Sequence, residues 1–590
     1  MGFQALLVMP LGFVALCLFT FLKTNLLYQI AIRNKDVEKE PPILPHSIPW
    51  LGHVFGFLTP VPGRFFSKVL SWYPKSHGGA SMKLAGREVR LIFSTTAVQA
   101  LLRSKPDVAN SDTMIKDMAC KGLKIGPADY AKYFECRHLE HELSNKYLLR
   151  PKAADALLCQ FDRFMKQGLA EESRRLSAPA TQMGEAVNLY EWLQGLMFQA
   201  SATAFFGERL FAEYPNILRD FWDFEPLFLG LLFGVPRWVN SKPHVAQENI
   251  IQGLTAWVEA NDDDMRGGGG GGKGVAPDPD VPDRDWEPRW GSRFVRARQQ
   301  FFQRLGLSPR GRASMELGLM FALNSNAVPA TGWMLMHILD PRKPDVLPRI
   351  LQEIQEAVDV AAESGGELDF DLPTLISQPL LQSMFQEVLR FYVDVLVTRG
   401  VHQDMRLPTE DSQTTLLIKK GTIAMAPSYV NHYDPTAYRG APVDEFDAER
   451  FLVPAGEATS TATTNHNQNL YSSDNHSEAS SDDEKSSSTT NTNRKVSQKP
   501  YVFSPGAAGA KMIPFGGGRT MCPGRVFAKR EVFSALALVL LNFDIAPLAG
   551  PRSYKVPGHV SSYSGSGIIG HGGDIKVHIK RRTTAAAAKS

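Results

Sequence analysis

The sequence contains few cysteines for its length. Its 590 residues include five, namely Cys17, Cys120, Cys136, Cys159 and Cys522. Their number is odd and they show no paired spacing, which argues against a disulfide framework and against a zinc site. We therefore expect the folded part of the chain to lie in the cytosol.

An excess of one charge is also missing. The chain has 64 basic and 61 acidic residues, and a net charge of +3 is too small to suggest nucleic-acid binding. Six successive glycines, Gly267–Gly272, do not form a dinucleotide-binding fingerprint, because no strand precedes them and no suitable acidic residue follows. The sequence thus shows no nucleotide or flavin domain of its own.

The N-terminus carries a long apolar run. Phe3–Leu22 has no charged residue and is long enough to cross a hydrocarbon core of roughly 30 Å as a helix. No charge precedes the run, whereas Lys23 and further basic residues follow it, so we predict a retained anchor with the remainder in the cytosol. The predicted anchor covers residues 1–24, and a linker with a proline-rich hinge covers residues 25–53.

The remaining chain can bury a large core, since 43% of the residues are hydrophobic and 10% are aromatic. Apolar residues between Leu347 and Val358 recur at helical spacing, whereas Glu88–Phe93 and Leu416–Ala426 have the character of short strands. We expect a mainly α fold with small β-sheets (α+β) over residues 54–582.

Two segments look like insertions into this domain. Residues 262–285 combine the glycine run with a Pro/Asp-rich sequel and suggest a flexible surface loop. Residues 455–492 are rich in Ser, Thr, Asn and acidic residues, a composition typical of disorder. Residues 583–590 form a short tail.

The most informative segment is Pro514–Arg525, which reads PFGGGRTMCPGR. Its three glycines allow close backbone approaches, and Pro523 can take the first position of a helix that continues towards Leu541. A cysteine at such a helix start is favoured as a thiolate by unpaired backbone N–H groups and by the helix dipole. We therefore predict a thiolate site at Cys522.

This segment resembles the haem-binding loop of the cytochrome P450 superfamily, with Phe515, Gly518, Cys522 and Gly524 at matching positions. The resemblance implies the cytochrome P450 fold, haem b as cofactor and Cys522 as the proximal iron ligand. The chain departs from the family two residues before the cysteine, where Thr520 replaces a basic residue that usually contacts a haem propionate.

Further family motifs occur in the expected order. Glu387 and Arg390 match the family's Glu-x-x-Arg, and Arg450 lies in a segment similar to its Pro-Glu-Arg-Phe. The resemblance implies a buried charge network of these three residues with a structural role. It also implies that Arg399 and Arg137 reach haem propionates.

The segment from Met320 to Trp333 lacks the acid and alcohol that deliver protons in most family members, since Val328 and Pro329 occupy those positions. Asn326-Ala327-Val328-Pro329-Ala330 resembles the branch of sterol 7α-hydroxylases, sterol 12α-hydroxylases and prostacyclin synthase. Pro329 removes a backbone donor, so we expect a helix kink.

Two chemistries fit this replacement. In a monooxygenase, Asn326 and ordered water would replace the alcohol, so Asn326 and Pro329 are candidate catalytic residues. The alternative is that Asn326 only partners Pro329 at the helix kink. A haem-thiolate isomerase or dehydratase that rearranges a peroxide would need no delivered protons. We favour the monooxygenase, because the resembling branch contains mostly hydroxylases. A relative that has lost turnover is the third hypothesis.

The resemblance also implies partners. Electrons would come from NADPH through a separate flavoprotein reductase in the same membrane, by analogy the endoplasmic reticulum. The substrate would be apolar, such as a sterol, a terpenoid or another secondary metabolite. An aromatic segment from Phe221 to Trp238 would roof the substrate pocket and contact membrane lipid, or, as the alternative, pack within the protein core.

Overall fold

The computed structural model describes residues 2–34, 36–58, 63–73, 78–176, 184–267, 285–364, 369–410, 414–438, 442–457, 500–558 and 566–582. Most of the two predicted insertions and all of the predicted tail lie outside these residues. Helices predominate in the described part and the strands form small sheets, which confirms the expected fold class.

The helices are α1 (Gly2–Arg33), α2 (Val54–Phe57), α3 (Arg64–Trp72), α4 (Thr95–Leu102), α5 (Asp112–Asp117), α6 (Pro127–Ser144), α7 (Pro151–Leu176), α8 (Leu189–Phe206), α9 (Arg209–Glu213), α10 (Ile217–Phe224), α11 (Phe228–Leu232), α12 (Lys242–Gly267), α13 (Arg293–Arg304), α14 (Pro309–Ile338), α15 (Val346–Ser364), α16 (Leu372–Ser377), α17 (Pro379–Tyr392), α18 (Ser428–His432), α19 (Gly506–Lys511) and α20 (Arg525–Asn542).

The strands are β1 (Glu38–Lys39), β2 (Gly79–Leu84), β3 (Arg87–Ile92), β4 (Ala109–Asn110), β5 (Glu185–Asn188), β6 (Trp286–Glu287), β7 (Gly291–Ser292), β8 (Val393–Val401), β9 (Met405–Pro408), β10 (Thr415–Ile418), β11 (Ile423–Pro427), β12 (Leu452–Pro454), β13 (Tyr501–Phe503), β14 (Phe543–Pro547), β15 (Ser566–Ile568) and β16 (Lys576–Arg581). They include the predicted strands near Glu88–Phe93 and Leu416–Ala426.

The largest sheet has the order β15-β8-β11-β3-β2, and β4 also pairs with β8. β11 runs parallel to β3 and antiparallel to β8, with Ala424 opposite both Arg90 and Arg399. Because β8 begins directly after α17, one continuous segment carries Glu387, Arg390 and Arg399.

Helix α14 is the central element of the core. Its buried residues occur all around the helix, as expected for a helix surrounded by protein. It packs against α8, α12, α17 and α20. Pro309 opens the helix, and the Ser308 hydroxyl caps it by accepting a hydrogen bond from the Gly311 amide at 3.0 Å. The helix continues through Pro329.

The structure corrects one detail of the cysteine segment. Helix α20 begins at Arg525 with Gly524 at the N-cap, so Pro523 is not its first residue. Pro523 instead belongs to the turn that leads from Cys522 into the helix. The cysteine still lies directly before the helix start.

Helix α1 is longer than the predicted anchor. Leu11–Arg33 is apolar enough to cross a membrane by length and composition. The end of the helix contacts the domain: the Thr24 hydroxyl accepts a hydrogen bond from the His46 amide at 3.1 Å, and Tyr28 packs against Tyr73. The apolar part therefore leads into the domain without a break in the helix.

Candidate active site

The loop before α20 is shaped by its glycines and by α4. Gly516 and Gly518 have φ angles of +70° and +65°, a region that favours glycine. A Cβ atom at Gly518 would lie 2.0 Å from the Leu102 carbonyl oxygen, so only glycine permits this approach. The Cys522 amide donates to the Phe515 carbonyl at 3.0 Å, which closes the loop.

Two opposing influences act on the thiol of Cys522. Burial raises its pKa, whereas hydrogen bonds from the Gly524 and Arg525 amides and the charge of Arg525 lower it, and the net direction is upward. A cation bound to the sulfur would reverse this balance, because a coordinating thiol loses its proton. The local amides are already arranged to stabilise the resulting thiolate.

Arg399 places a cation beside this loop. Its Nη2 atom donates to Thr520 Oγ1 at 2.7 Å and to the Gly517 carbonyl at 3.2 Å. The side chain is largely buried, and burial lowers its pKa below the ordinary arginine value. The guanidinium thus contacts the residue that replaces the family's basic side chain. Sequence analysis identified Arg399 but not this contact.

The predicted charge network is present. Glu387 accepts hydrogen bonds from Arg390 Nε at 2.7 Å, Arg390 Nη2 at 2.8 Å and Arg450 Nε at 3.0 Å. Its Oε1 atom also accepts from the Asp447 amide at 3.0 Å. The side chains of Glu387 and Arg390 are fully buried and that of Arg450 is 1% exposed, so one buried carboxylate pairs with two buried guanidinium groups.

His432 connects this network with the cysteine loop. Arg390 Nη1 donates to the His432 carbonyl at 3.2 Å, and His432 Nε2 accepts from the Ile513 amide at 3.2 Å. Ile513 lies two residues before Phe515. Burial lowers the pKa of His432 to about 3, so the ring is neutral near pH 7 and can accept this hydrogen bond. These contacts give His432 a structural role between the charge network and the cysteine loop.

The middle of α14 has one accessible side. Ala322 is exposed although Met320 and Asn324 beside it are fully buried, and Asn326, one turn later, is partly exposed. Val328 and Pro329, at the positions of the missing acid and alcohol, are fully buried. The face that includes Ala322 and Asn326 is therefore the accessible side of this helix.

Asn326 joins α14 to β15. Its Oδ1 atom accepts from the Ile568 amide at 3.0 Å, and its Nδ2 atom donates to Ser325 Oγ at 3.3 Å. Gly567 approaches so closely that a Cβ there would lie 2.2 Å from Asn326 Oδ1. Pro329 has no N–H, so the Ser325 carbonyl lacks its usual i+4 helical donor.

Comparison with known proteins identifies the family. The model of the family described as Cytochrome P450 matches residues 317–470 and 499–557. These segments include Asn326, Glu387, Arg399, Arg450 and Cys522. The chain belongs to the cytochrome P450 superfamily. The resemblance inferred from sequence motifs is thereby confirmed.

Related cytochrome P450 proteins align over almost the whole chain. Cytochrome P450 monooxygenase fsoE of Humicola fuscoatra is 28% identical, covering 92% of this chain and 88% of its own length. Cytochrome P450 monooxygenase calL of Penicillium decumbens is 26% identical, covering 92% and 93%. Cytochrome P450 7A1 of Rattus norvegicus is 24% identical, covering 93% and 95%. The chain is accordingly an oxidoreductase of the cytochrome P450 monooxygenase type.

Membership in the cytochrome P450 superfamily implies a haem-thiolate cofactor, and the site residues fit one. Cys522 is partly accessible and has amide donors at its sulfur. Ala322 offers a surface without a bulky side chain on an otherwise buried helix. Arg399 supplies a buried cation beside the loop, of the charge that a propionate requires.

Arg137 has a different environment from Arg399. It forms an ion pair with Asp112 of α5 at 2.8 Å and donates to the Phe134 carbonyl at 2.7 Å. Tyr133, one turn earlier, donates to Glu140. Tyr133 and Arg137 thus have different partners, and Arg137 would have to share its charge with Asp112 to reach a propionate.

Sequence analysis missed Glu225, which follows α10. The rings of Phe224 and Phe228 on either side of it pack against Phe321 of α14, at centroid distances of 6.2 and 4.3 Å. Burial raises the pKa of Glu225 to about 7. Within the described part of the chain the carboxyl has no hydrogen bond or ion pair, although it interacts electrostatically with Tyr190. No motif signals such a residue.

Proposed function

We propose that this cytochrome P450 hydroxylates or oxidises an apolar substrate, such as a sterol, a terpenoid or another secondary metabolite, with molecular oxygen. The electrons come from NADPH through a separate flavoprotein reductase. The observation that carries the proposal is the Cys522 loop, in which the Gly524 and Arg525 amides lie at the cysteine sulfur and the Arg399 guanidinium donates to Gly517 and Thr520 of the same loop. Helix α1 anchors the enzyme once in the endoplasmic reticulum membrane, with the catalytic domain in the cytosol.

In this proposal Cys522 is the iron ligand of haem b, and Phe515, Gly518 and Gly524 shape the loop beneath the cofactor. Thiolate-ligated haem supplies oxygen activation when it is bound. Arg399 and Thr520 together bind a propionate. Arg137 contributes a second, weaker electrostatic contact, because Asp112 partly neutralises it.

Asn326 and Pro329 provide the polar part of α14. The Asn326 amide holds Ser325 Oγ, and the Ser325 carbonyl, which lacks a helical donor, can accept a hydrogen bond from a water. This arrangement orders a proton donor next to the accessible face of the helix, in place of the missing alcohol. The amide also fixes β15 against the helix, so it sets the width of the accessible space.

The proposed substrate class rests on the aromatic side chains around Phe321 of α14. Phe321 is partly exposed beside Ala322 and packs on the buried rings of Phe224 and Phe228, so this side of α14 is aromatic and favours an apolar molecule. The similarity to cytochrome P450 7A1, together with the Asn-x-x-Pro motif, supports a ring-shaped lipid such as a sterol or terpenoid.

A peroxide isomerase or dehydratase is the second candidate. The observation that favours it is the burial of Val328 and Pro329, neither of which has a protic side chain. Substrate-dependent consumption of NADPH and oxygen with added reductase supports the monooxygenase. Rearrangement of a hydroperoxide without reductase would replace the first proposal by the second.

Replacement of the cysteine tests the site common to both candidates. We expect Cys522→Ala to lose the thiolate-type absorption of the reduced carbonyl complex, because no other sulfur replaces the ligand. Cys120→Ala is the matched control and should retain that absorption. Normal absorption in the Cys522 variant would contradict the ligand assignment.

A further inference from the structure

A second pocket lies apart from the active site, beside α3. It has a volume of about 320 Å³, and the lining side chains that argue for a ligand are His46, His53, Arg64, Lys68, Trp72 and Tyr73. We call it the α3 pocket. Its size suits a small polar ligand or a lipid headgroup better than a whole lipid.

The α3 pocket is basic. Arg64 and Lys68 lie one helical turn apart, both are exposed, and the described residues provide no ion-pair partner for either. Lys68 Nζ lies 5.7 Å from the centre of the Trp72 ring. None of the lining residues is acidic. The surrounding sequence has the same bias, since no Asp or Glu occurs between Glu40 and Glu88. The pocket therefore favours an anion.

The α3 pocket also adjoins the end of the anchor helix. His46, part of its lining, is hydrogen-bonded through its amide to Thr24 of α1, and Tyr73 packs against Tyr28 with ring centroids 4.9 Å apart. The uncharged apolar run Phe3–Leu22 of α1 precedes this contact. A chain anchored by that segment holds the pocket at the membrane–water boundary, where lipid headgroups lie.

Exposed aromatic side chains surround the same region. Trp50, Phe55 and Trp72 are 64%, 65% and 66% exposed. Trp residues are enriched at the headgroup level of membranes, because their amphipathic rings suit that boundary. Basic groups next to such rings match a negatively charged headgroup rather than a free aqueous anion.

We propose that the α3 pocket binds the phosphate-bearing headgroup of an anionic phospholipid in the membrane that holds α1. Arg64 and Lys68 bind the phosphate as charged donors, and Trp72 lies against the glycerol and the first acyl carbons. Headgroup binding orients the catalytic domain on the membrane. The inference rests on the membrane anchoring included in the proposed function.

The test uses the full haem-loaded chain in neutral detergent and short-chain lipids, so that binding is measured without a bilayer. Isothermal titration calorimetry compares dihexanoyl phosphatidic acid, dihexanoyl phosphatidylcholine and inorganic phosphate. We expect phosphatidic acid to bind and the Arg64→Gln/Lys68→Gln variant to lose affinity by about 25-fold, since each basic group contributes about fivefold. Arg552→Gln/Lys555→Gln is the matched control, because both residues are exposed.

Each outcome decides the proposal. Loss of binding in the α3 variant alone supports it. Equal binding of phosphatidylcholine, or equal loss in the control variant, would overturn it. Inorganic phosphate that binds as tightly as phosphatidic acid would also overturn it, because the site would then be one for free phosphate. Flotation of the full chain with neutral vesicles tests the anchor separately, so the failure of one proposal is distinguishable from failure of the other.

Discussion

Replacement of Glu387 by glutamine should strongly destabilise the protein. The carboxylate is fully buried and accepts four hydrogen bonds, three of them from Arg390 and Arg450. The glutamine side chain would present one neutral oxygen and an NH2 group to two guanidinium groups, leaving buried positive charge without compensation. Breaking a buried ion pair in this way costs about 3–5 kcal/mol, so we expect the free energy of unfolding to fall by that amount.

The assay is denaturant unfolding of the haem-loaded protein, followed both by tryptophan fluorescence and by haem absorption. A change in midpoint at constant slope reports stability. Glu449→Gln is the matched control: Glu449 is 51% exposed and paired with Arg349, and such surface pairs contribute about 0–1 kcal/mol. A Glu387 variant as stable as the Glu449 variant would refute the reasoning that the network supports the fold.

Three further predictions concern the site. Arg399→Gln should weaken haem retention by about 2 kcal/mol, the value of a charge-assisted hydrogen bond, and adding Thr520→Arg should restore part of it; haem transfer to apomyoglobin measures both. Asn326→Ala should lower product formed per NADPH by up to about a hundredfold, because Ile568 loses its acceptor and the accessible space changes shape; unchanged coupling would exclude Asn326 from positioning. The pKa of Glu225 is raised by burial to about 7, so the folded protein binds more protons than the unfolded chain between about pH 4.5 and 7, and this contribution to stability is lost as pH rises through that window. Glu225→Gln should remove that part of the pH dependence, measured as denaturation midpoints from pH 5 to 8, and an identical pH profile would contradict the assignment.

The sequence predicts the parts of this molecule that depend on local chemistry. The glycine-rich cysteine loop and strands β3 and β11 follow from residue types at fixed spacing, because glycine turns and alternating apolar residues have few structural solutions. The Glu387 network is expected only from the resemblance to the family. Contacts between distant segments do not follow in this way. Asn326 and Ile568 are far apart in the chain, and nothing in either segment alone predicts their hydrogen bond.

Contacts between distant segments also explain why the sequence predicts the surroundings of Arg137 only in part. The resemblance points to Arg137, but no local pattern shows that Asp112, from another helix, pairs with it. The sequence alone could not identify Glu225 either, because a carboxyl group stands out as unusual only when the structure shows that it is buried without a hydrogen-bond or ion-pair partner among the described residues. Such residues are recognised from packing, which no single segment specifies.

Thr520 shows that a departure from a family motif can be compensated from a distant segment. The basic side chain is absent from the loop, yet Arg399 of β8 donates to Thr520 Oγ1, so a positive charge occupies the same neighbourhood. The departure in α14 has no such replacement by a charge. The nearby hydroxyls of Ser325 and Thr331 both donate to carbonyls of their own helix, at 2.6 and 2.9 Å. In the proposed monooxygenase, proton delivery would therefore use water near Asn326, and the response of oxygen-dependent turnover to Asn326 replacement separates a monooxygenase from an enzyme that needs no delivered proton.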